Sequence, residues 1–136
     1  MALIPKKFKF KKYPKGRVKN TEKNKKIIFG CIGLKANESG RLTPKQIESG
    51  RRAIRKYIKQ LKGIVKVKLT AYLPVTSKPL AVRMGRGKGK VAFSVCPVKK
   101  GTILYEIMVT DIKKAIIAAK KASYKLPIKT LVVLKK

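Results

Sequence analysis

Four cations and three glycines share the stretch RMGRGKGK, residues 83–90. Arg83, Arg86, Lys88 and Lys90 carry charged donors suited to phosphate oxygens, with Met84 among them. Gly85, Gly87 and Gly89 lack the Cβ that would hold a backbone away from a ligand. The chemistry on offer is anion recognition. Two familiar phosphate-binding patterns do not fit it. There is no G-x-x-x-x-G-K-[ST]. Gly85 and Gly87 match the first two positions of a dinucleotide fingerprint, but Lys90 stands where the third glycine belongs. The apolar flanks predict a loop between two strands. Its glycines let the backbone lie close to RNA, its cations meet phosphates, and arginine can stack on an exposed base.

Other chemistries lack their residues. The chain has no histidine, which removes imidazole bases, Ser-His triads and most zinc sites. Its acids are Glu22, Glu38, Glu48, Glu106 and Asp111, scattered along 136 residues, a poor basis for paired-carboxylate or magnesium chemistry. Cys31 and Cys96 sit in apolar segments without a CxxC motif and read as two buried thiols. No catalytic residue, metal or cofactor is expected.

Charge decides the class of partner. Lys and Arg number 37 against 5 acids, a net charge of +32. Such a domain repels itself until a polyanion neutralises it. Nucleic acid is the default, since each phosphate contact releases counterions. The 44% hydrophobic content supports a real core, so a wholly disordered polycation is excluded. No apolar run is long enough for a transmembrane helix. The N-terminal stretch reads as neither a secretory signal nor a good transit peptide.

The elements that hold these residues can be read in order. Residues 1–25 form a basic arm with Phe8, Phe10 and Tyr13 interleaved among lysines. Residues 26–136 form one domain. "KIIFGCIGLKA", 26–36, reads as a strand, and "NESGR" as a turn. Residues 42–63 carry the strongest helix signal: Thr43 as N-cap, Pro44 at the first position, Gln46 completing a capping box, and Gly63 as C-cap. Ile47, Ile54, Ile58 and Leu61 make its apolar stripe; Arg51, Arg52, Arg55, Lys56, Lys59 and Lys62 make a phosphate-facing side. "IVKVKLTAYLPVT" predicts one strand ended by Pro74. "VAFSVCPV" and "TILYEIMVT", joined by "KKG", predict a hairpin. A second helix begins at Thr110 or Asp111, with Ile112, Ala115, Ile116, Ala119 and Tyr124 as its apolar positions, and ends at Pro127. "IKTLVVLKK" is a last strand. The fold class is α+β: a mainly antiparallel sheet packed with two helices, a basic arm and a protruding loop.

Four stretches together resemble one family: "FGCIGLKANESGRLTPKQIESGRRAIRKYIK", "PVTSKPLAVRMGRGKGKV", "GTILYEI" and "AAKKASYKLPIKT". The patterns RLTxxQIExxRRA and KPxxVRMGxGKG are specific to bacterial-type large-subunit ribosomal proteins of the L-sixteen family. The likeness covers roughly residues 5–130, and "PKKFKFKKYPKGR" looks like that family's basic start. Three segments depart from the usual pattern: "VKVKLTAYLPVT" lacks a tryptophan and an aspartate, "AFSVC" replaces an aromatic-rich run, and "IMVTD" lacks a glycine.

The resemblance implies a structural protein that binds large-subunit rRNA and helps organise the aminoacyl-tRNA site. It implies no enzyme activity. The rRNA-binding residues it points to are Lys6, Lys7, Lys9, Lys11, Lys12, Lys15 and Arg17 of the arm, with Arg41, Arg51, Arg52, Arg55 and Lys56. The loop from Arg83 to Lys90 corresponds to the element facing tRNA in the A and P sites. Neighbouring large-subunit proteins are further partners; membranes and self-association are not expected. The departures suggest a divergent, organelle-encoded member. A mitochondrial ribosome is the first reading, with bacterial cytoplasm and plastid as alternatives. The competing functions are an RNA-processing enzyme and a general nucleic-acid-binding polycation.

Overall fold

The computed structural model describes residues 4–5, 10–14, 16–19, 21–22 and 26–135. Seven strands and two helices follow in the order β1 (Ile32–Ala36), β2 (Gly40–Leu42), α1 (Pro44–Ile58), β3 (Ile64–Val67), β4 (Leu73–Ser77), β5 (Lys90–Val98), β6 (Ile103–Met108), α2 (Ile112–Ser123) and β7 (Thr130–Leu134). The fold is α+β with antiparallel pairing throughout. The strands form two sheets, β3-β6-β1-β7 and β2-β5-β4.

The predicted hairpin between β5 and β6 does not form, because the two strands belong to different sheets. Gly101 in "KKG" does turn the chain, with φ +82. Its N–H, however, donates to the Ala36 carbonyl at 2.8 Å, and Ala36 N–H donates to Thr102 O at 2.9 Å. The chain is thereby delivered onto β1 and leaves β5 to pair with β2 and β4. The single strand expected around Pro74 is likewise two strands, one in each sheet, with Pro74 inside β4.

The N-terminal half of the strand predicted over 26–36 is also absent. Gly30, at φ +79, turns the chain, and a Cβ there would lie 2.3 Å from the Ile107 carbonyl oxygen. Ile28 and Phe29 therefore fold back to the buried carboxylate of Glu106, which accepts their backbone N–H groups at 3.2 and 3.0 Å. Lys68 pairs with that carboxylate at 3.5 Å, and the Lys66 ammonium sits 3.2 Å from the centre of the Phe29 ring. A buried carboxylate needs such donors to offset its lost hydration.

The capping box of α1 is formed as predicted: Gln46 N–H donates to Thr43 Oγ1, and Thr43 N–H donates to Gln46 Oε1. Ile47, Ile54 and Ile58 are fully buried. The helix ends at Ile58 and a 3-10 turn covers Lys59–Leu61. The left-handed residue at its close is Lys62, φ +50, not Gly63. Gly63 is wanted for space, since a Cβ there would press on Ile58 and the Met108 carbonyl.

Asp111, not Thr110, caps α2, accepting from Lys114 N–H. The buried face of α2 is Ala115, Ala118, Ala119 and Ala122, while Ile112 and Tyr124 are exposed. An alanine face lets α1 and α2 approach closely, and that contact displaces the larger residues outward. Of the two cysteines expected to be buried, Cys96 is buried and Cys31 is exposed; both are free thiols. Burial pushes the Cys96 thiol pKa up.

Candidate nucleic-acid interface

Strands β4 and β5 make a hairpin whose last pair is Ser77↔Lys90. Residues 78–89 are the connection, and every residue from 79 to 88 is exposed. The backbone has positive φ at three successive positions: Gly85 (+110), Arg86 (+52) and Gly87 (+77). At Gly85 and Gly87 a Cβ would meet no atom within 4 Å, so those glycines answer to dihedral angle alone. At Gly89 the reason is contact, because a Cβ would lie 2.4 Å from the Ser77 carbonyl oxygen. Lys78 Nζ donates to the Gly85 carbonyl across the turn.

The arm meets this loop. Lys12 Nζ donates to the Lys88 carbonyl at 3.0 Å, and Lys88 Nζ donates to the Tyr13 carbonyl. Phe10 and Tyr13 pack edge to face with centroids 5.5 Å apart. Further along, Arg41 donates to the Gly16 carbonyl at 2.7 Å, Lys99 to Thr21 Oγ1 at 3.0 Å, and Lys100 pairs with Glu22 at 3.6 Å. Arg17 and Arg41 line a crevice of about 630 Å³ between the arm and the β2-β5-β4 sheet. Lys11, Lys12 and Arg17 are exposed, whereas Lys6, Lys7, Lys9 and Lys15 lie outside the described residues.

On α1 the predicted cations divide. Arg51 is turned onto Glu48 by two bonds, Nε to Oε2 at 2.8 Å and Nη2 to Oε1 at 2.6 Å. Arg52 adds a third at 3.2 Å but keeps 77% of its side chain exposed. The Arg51 hydrogen bonds, helped by Arg52, hold the Glu48 pKa down at about 2. Arg55 and Lys56 are exposed. Each of the five acids already has a cation of the chain beside it: Glu22 with Lys100, Glu38 with Lys129, Glu48 with Arg51, Glu106 with Lys68, and Asp111 with Lys114. Among the described residues no acid pairs with Arg83, Arg86, Lys88 or Lys90. Their counter-charge must come from outside the chain.

A family profile described as Ribosomal protein L16p/L10e matches residues 5–133. The chain belongs to this family. The Large ribosomal subunit protein uL16 of Buchnera aphidicola subsp. Cinara cedri (strain Cc) is similar to it, 44% identical over 133 residues, which span 98% of this chain and 97% of that protein. As an L16p/L10e protein the chain is a structural, non-enzymatic constituent of the large ribosomal subunit and associates there with rRNA and other ribosomal proteins.

The geometry of this L16p/L10e chain also brings together residues that the sequence reading did not join. Lys45, Arg52, Lys56 and Tyr57 of α1 line one groove with Lys121, Tyr124 and Lys125 from the C-terminal end of α2 and just beyond it. The signal was present in α2 as exposed lysines, but only the packing of α1 on α2 sets them opposite the α1 cations. Among the described residues no helix is long and apolar enough to cross a membrane.

Proposed function

We propose that the loop Arg83–Lys90 contacts tRNA in the A and P sites, and that the arm and the exposed side of α1 hold rRNA, so that the chain helps organise the aminoacyl-tRNA site. One observation carries this reading: Arg83, Arg86 and Lys88 in the connection and Lys90 at the start of β5 are all exposed, and each of the five acids is already paired with another cation. The left-handed turn at 85–87 supports it, because a backbone bare of side chains at Gly85 and Gly87 can lie against a sugar-phosphate chain. Arg83 and Arg86 act as phosphate forks or stack on an unpaired base. The hydrogen bonds of Lys12 and Lys88 supply a path by which rRNA held by the arm positions the loop.

On the arm, Lys11, Lys12 and Arg17 are the described phosphate ligands, joined by Lys6, Lys7, Lys9 and Lys15. Arg41 anchors the arm through Gly16 beside them. On α1, Arg52, Arg55 and Lys56 face RNA, while Arg51 fixes Glu48, whose carboxylate also accepts from Arg52. The mechanism is electrostatic: cations set between closely packed phosphates let RNA segments that would repel be held together.

The test is ribosomes carrying Arg83→Ala and Arg86→Ala together. The expected result is normal incorporation into the large subunit with weakened A-site tRNA binding. Normal A-site binding by those ribosomes refutes the loop assignment. The same preparations place the ribosome: the sequence departures point to a mitochondrion, the relative is bacterial, and sedimentation of each lysate shows which large subunit carries the chain.

A further inference from the structure

Tyr57 and Tyr124 stand together on the helical side of the chain. Tyr57 lies on α1 and Tyr124 caps the C-terminal end of α2, among lysines, and they are 39% and 77% exposed. Neither hydroxyl has a hydrogen-bond partner among the described residues. Their rings and hydroxyls are therefore open to a partner that offers an aromatic face. Both line the groove between α1 and α2, an open cleft of about 710 Å³. Arg52, Lys56, Lys121 and Lys125 stand around them. The acid on the wall, Glu48, is already paired with Arg51 and Arg52.

We infer that this groove takes an unpaired segment of RNA, with a base stacked on Tyr124 or Tyr57 and the flanking phosphates met by Arg52, Lys56, Lys121 and Lys125. Charge complementarity selects a polyanion. The aromatic faces select one with exposed bases, since a duplex hides its base faces in the stack and an acidic peptide has none to offer. The groove shares no residue with the loop 83–90. The inference rests on the chain being an RNA-binding protein whose α1 face, with Arg52 and Lys56, meets RNA, and it extends that face across the groove to α2 and makes it single-strand-selective.

The experiment has two arms. Large subunits containing the full chain are irradiated with ultraviolet light, digested, and searched by mass spectrometry for peptides carrying a nucleotide. An adduct on Tyr124 or Tyr57 is expected; adducts on the arm and loop peptides with none on these tyrosines overturn the inference. In the second arm the purified chain is titrated with an unstructured RNA oligonucleotide and with a duplex of the same sequence. Tyr57→Leu with Tyr124→Leu should reduce the preference for the single strand by roughly 5- to 150-fold for one stacked base, with the salt dependence unchanged. Tyr→Phe at both positions should restore it. Lys121→Gln with Lys125→Gln should instead lower the slope of log affinity against log salt by about 1.4.

Equal loss for duplex and single strand, failure of the Phe pair to restore the preference, or polyglutamate bound as tightly as RNA regardless of the tyrosines each refutes the stacking site. The two readings fail separately. A chain absent from large subunits that still selects single strands through these tyrosines sinks the ribosomal role alone. A chain normal in ribosomes with unmodified tyrosines sinks the groove alone.

Discussion

Gly50→Ala should destabilise this protein, although helix propensity says the reverse. Gly50 lies inside α1, where alanine is favoured over glycine by about 1 kcal/mol. The structure opposes that gain. A Cβ at position 50 would sit 2.6 Å from the Tyr105 hydroxyl oxygen and 3.1 Å from its ring carbon Cζ. Tyr105 is fully buried and donates its hydroxyl hydrogen to the Ile47 carbonyl at 2.7 Å. Burial, with a smaller contribution from the nearby Glu48 charge, raises the Tyr105 pKa well above its ordinary value, so the hydroxyl stays a donor. To admit the methyl, either α1 lifts from β6 or the ring shifts, and both movements break that bond.

Overpacking costs about 1–3 kcal/mol. A buried hydroxyl left without its partner costs about 1–3 kcal/mol more. After the propensity gain, the net loss is about 1–5 kcal/mol, centred near 3. For a chain of this size that is a fall in Tm of roughly 10 °C. Urea titration followed by far-UV circular dichroism, in salt high enough to screen the net charge, measures it. Adding Tyr105→Phe removes the atom in closest conflict, so the double variant should lose less than the sum of the singles, by about 1 kcal/mol. A Gly50→Ala protein as stable as the parent would show that α1 is not seated on β6 through this contact. The positions of Arg52, Arg55 and Lys56 would then need another explanation.

Glu48 contributes stability above its ordinary pKa of 4.5 that is lost as pH falls from there to about 2, since its folded pKa is the lower one. Solvent screening at this partly exposed pair limits the effect to about 1 kcal/mol or less, and acid unfolding of Glu48→Gln should lack that component. Gly89→Ala should disrupt the hairpin neck by a backbone clash with Ser77, whereas Gly85→Ala should cost only the dihedral strain of roughly 1–3 kcal/mol; proteolysis within residues 78–89 compares the two. Glu106→Ala leaves the N–H groups of Ile28 and Phe29 without their acceptor, and hydrogen exchange at those two amides should rise sharply while α1 stays protected. With ~6 phosphate contacts, binding of the isolated chain to rRNA should weaken about a thousandfold between 50 and 200 mM salt, by the duplex-DNA rule.

Local signals sufficed where one short segment holds all the information. The capping box at Thr43 and Gln46 involves two side chains three residues apart, and it formed as read. The Ile47, Ile54 and Ile58 stripe follows from helical periodicity, and its three residues are buried. The exposed glycine-rich connection between two strands was legible in its composition, and the charge of +32 already demanded a polyanion. So did the family, whose specific patterns lie along the chain in order.

What the sequence could not decide was partnership between distant segments. "KKG" has the chemistry of a hairpin, but Gly101 N–H found Ala36 from β1, and one expected sheet became two. Residues 27–29 are as β-prone as any strand here, yet a buried glutamate nearly eighty positions away holds the amides of Ile28 and Phe29. Arg51 looks like its neighbour Arg52 in sequence, and only the placement of Glu48 separates the structural guanidinium from the exposed one. The groove between α1 and α2 has no sequence signature, because its walls are joined by packing alone. Backbone hydrogen bonds and carboxylate contacts can be satisfied by many candidates in one chain. Which candidate wins is set by how the alanine face, the isoleucine stripe and the two sheets close on each other together.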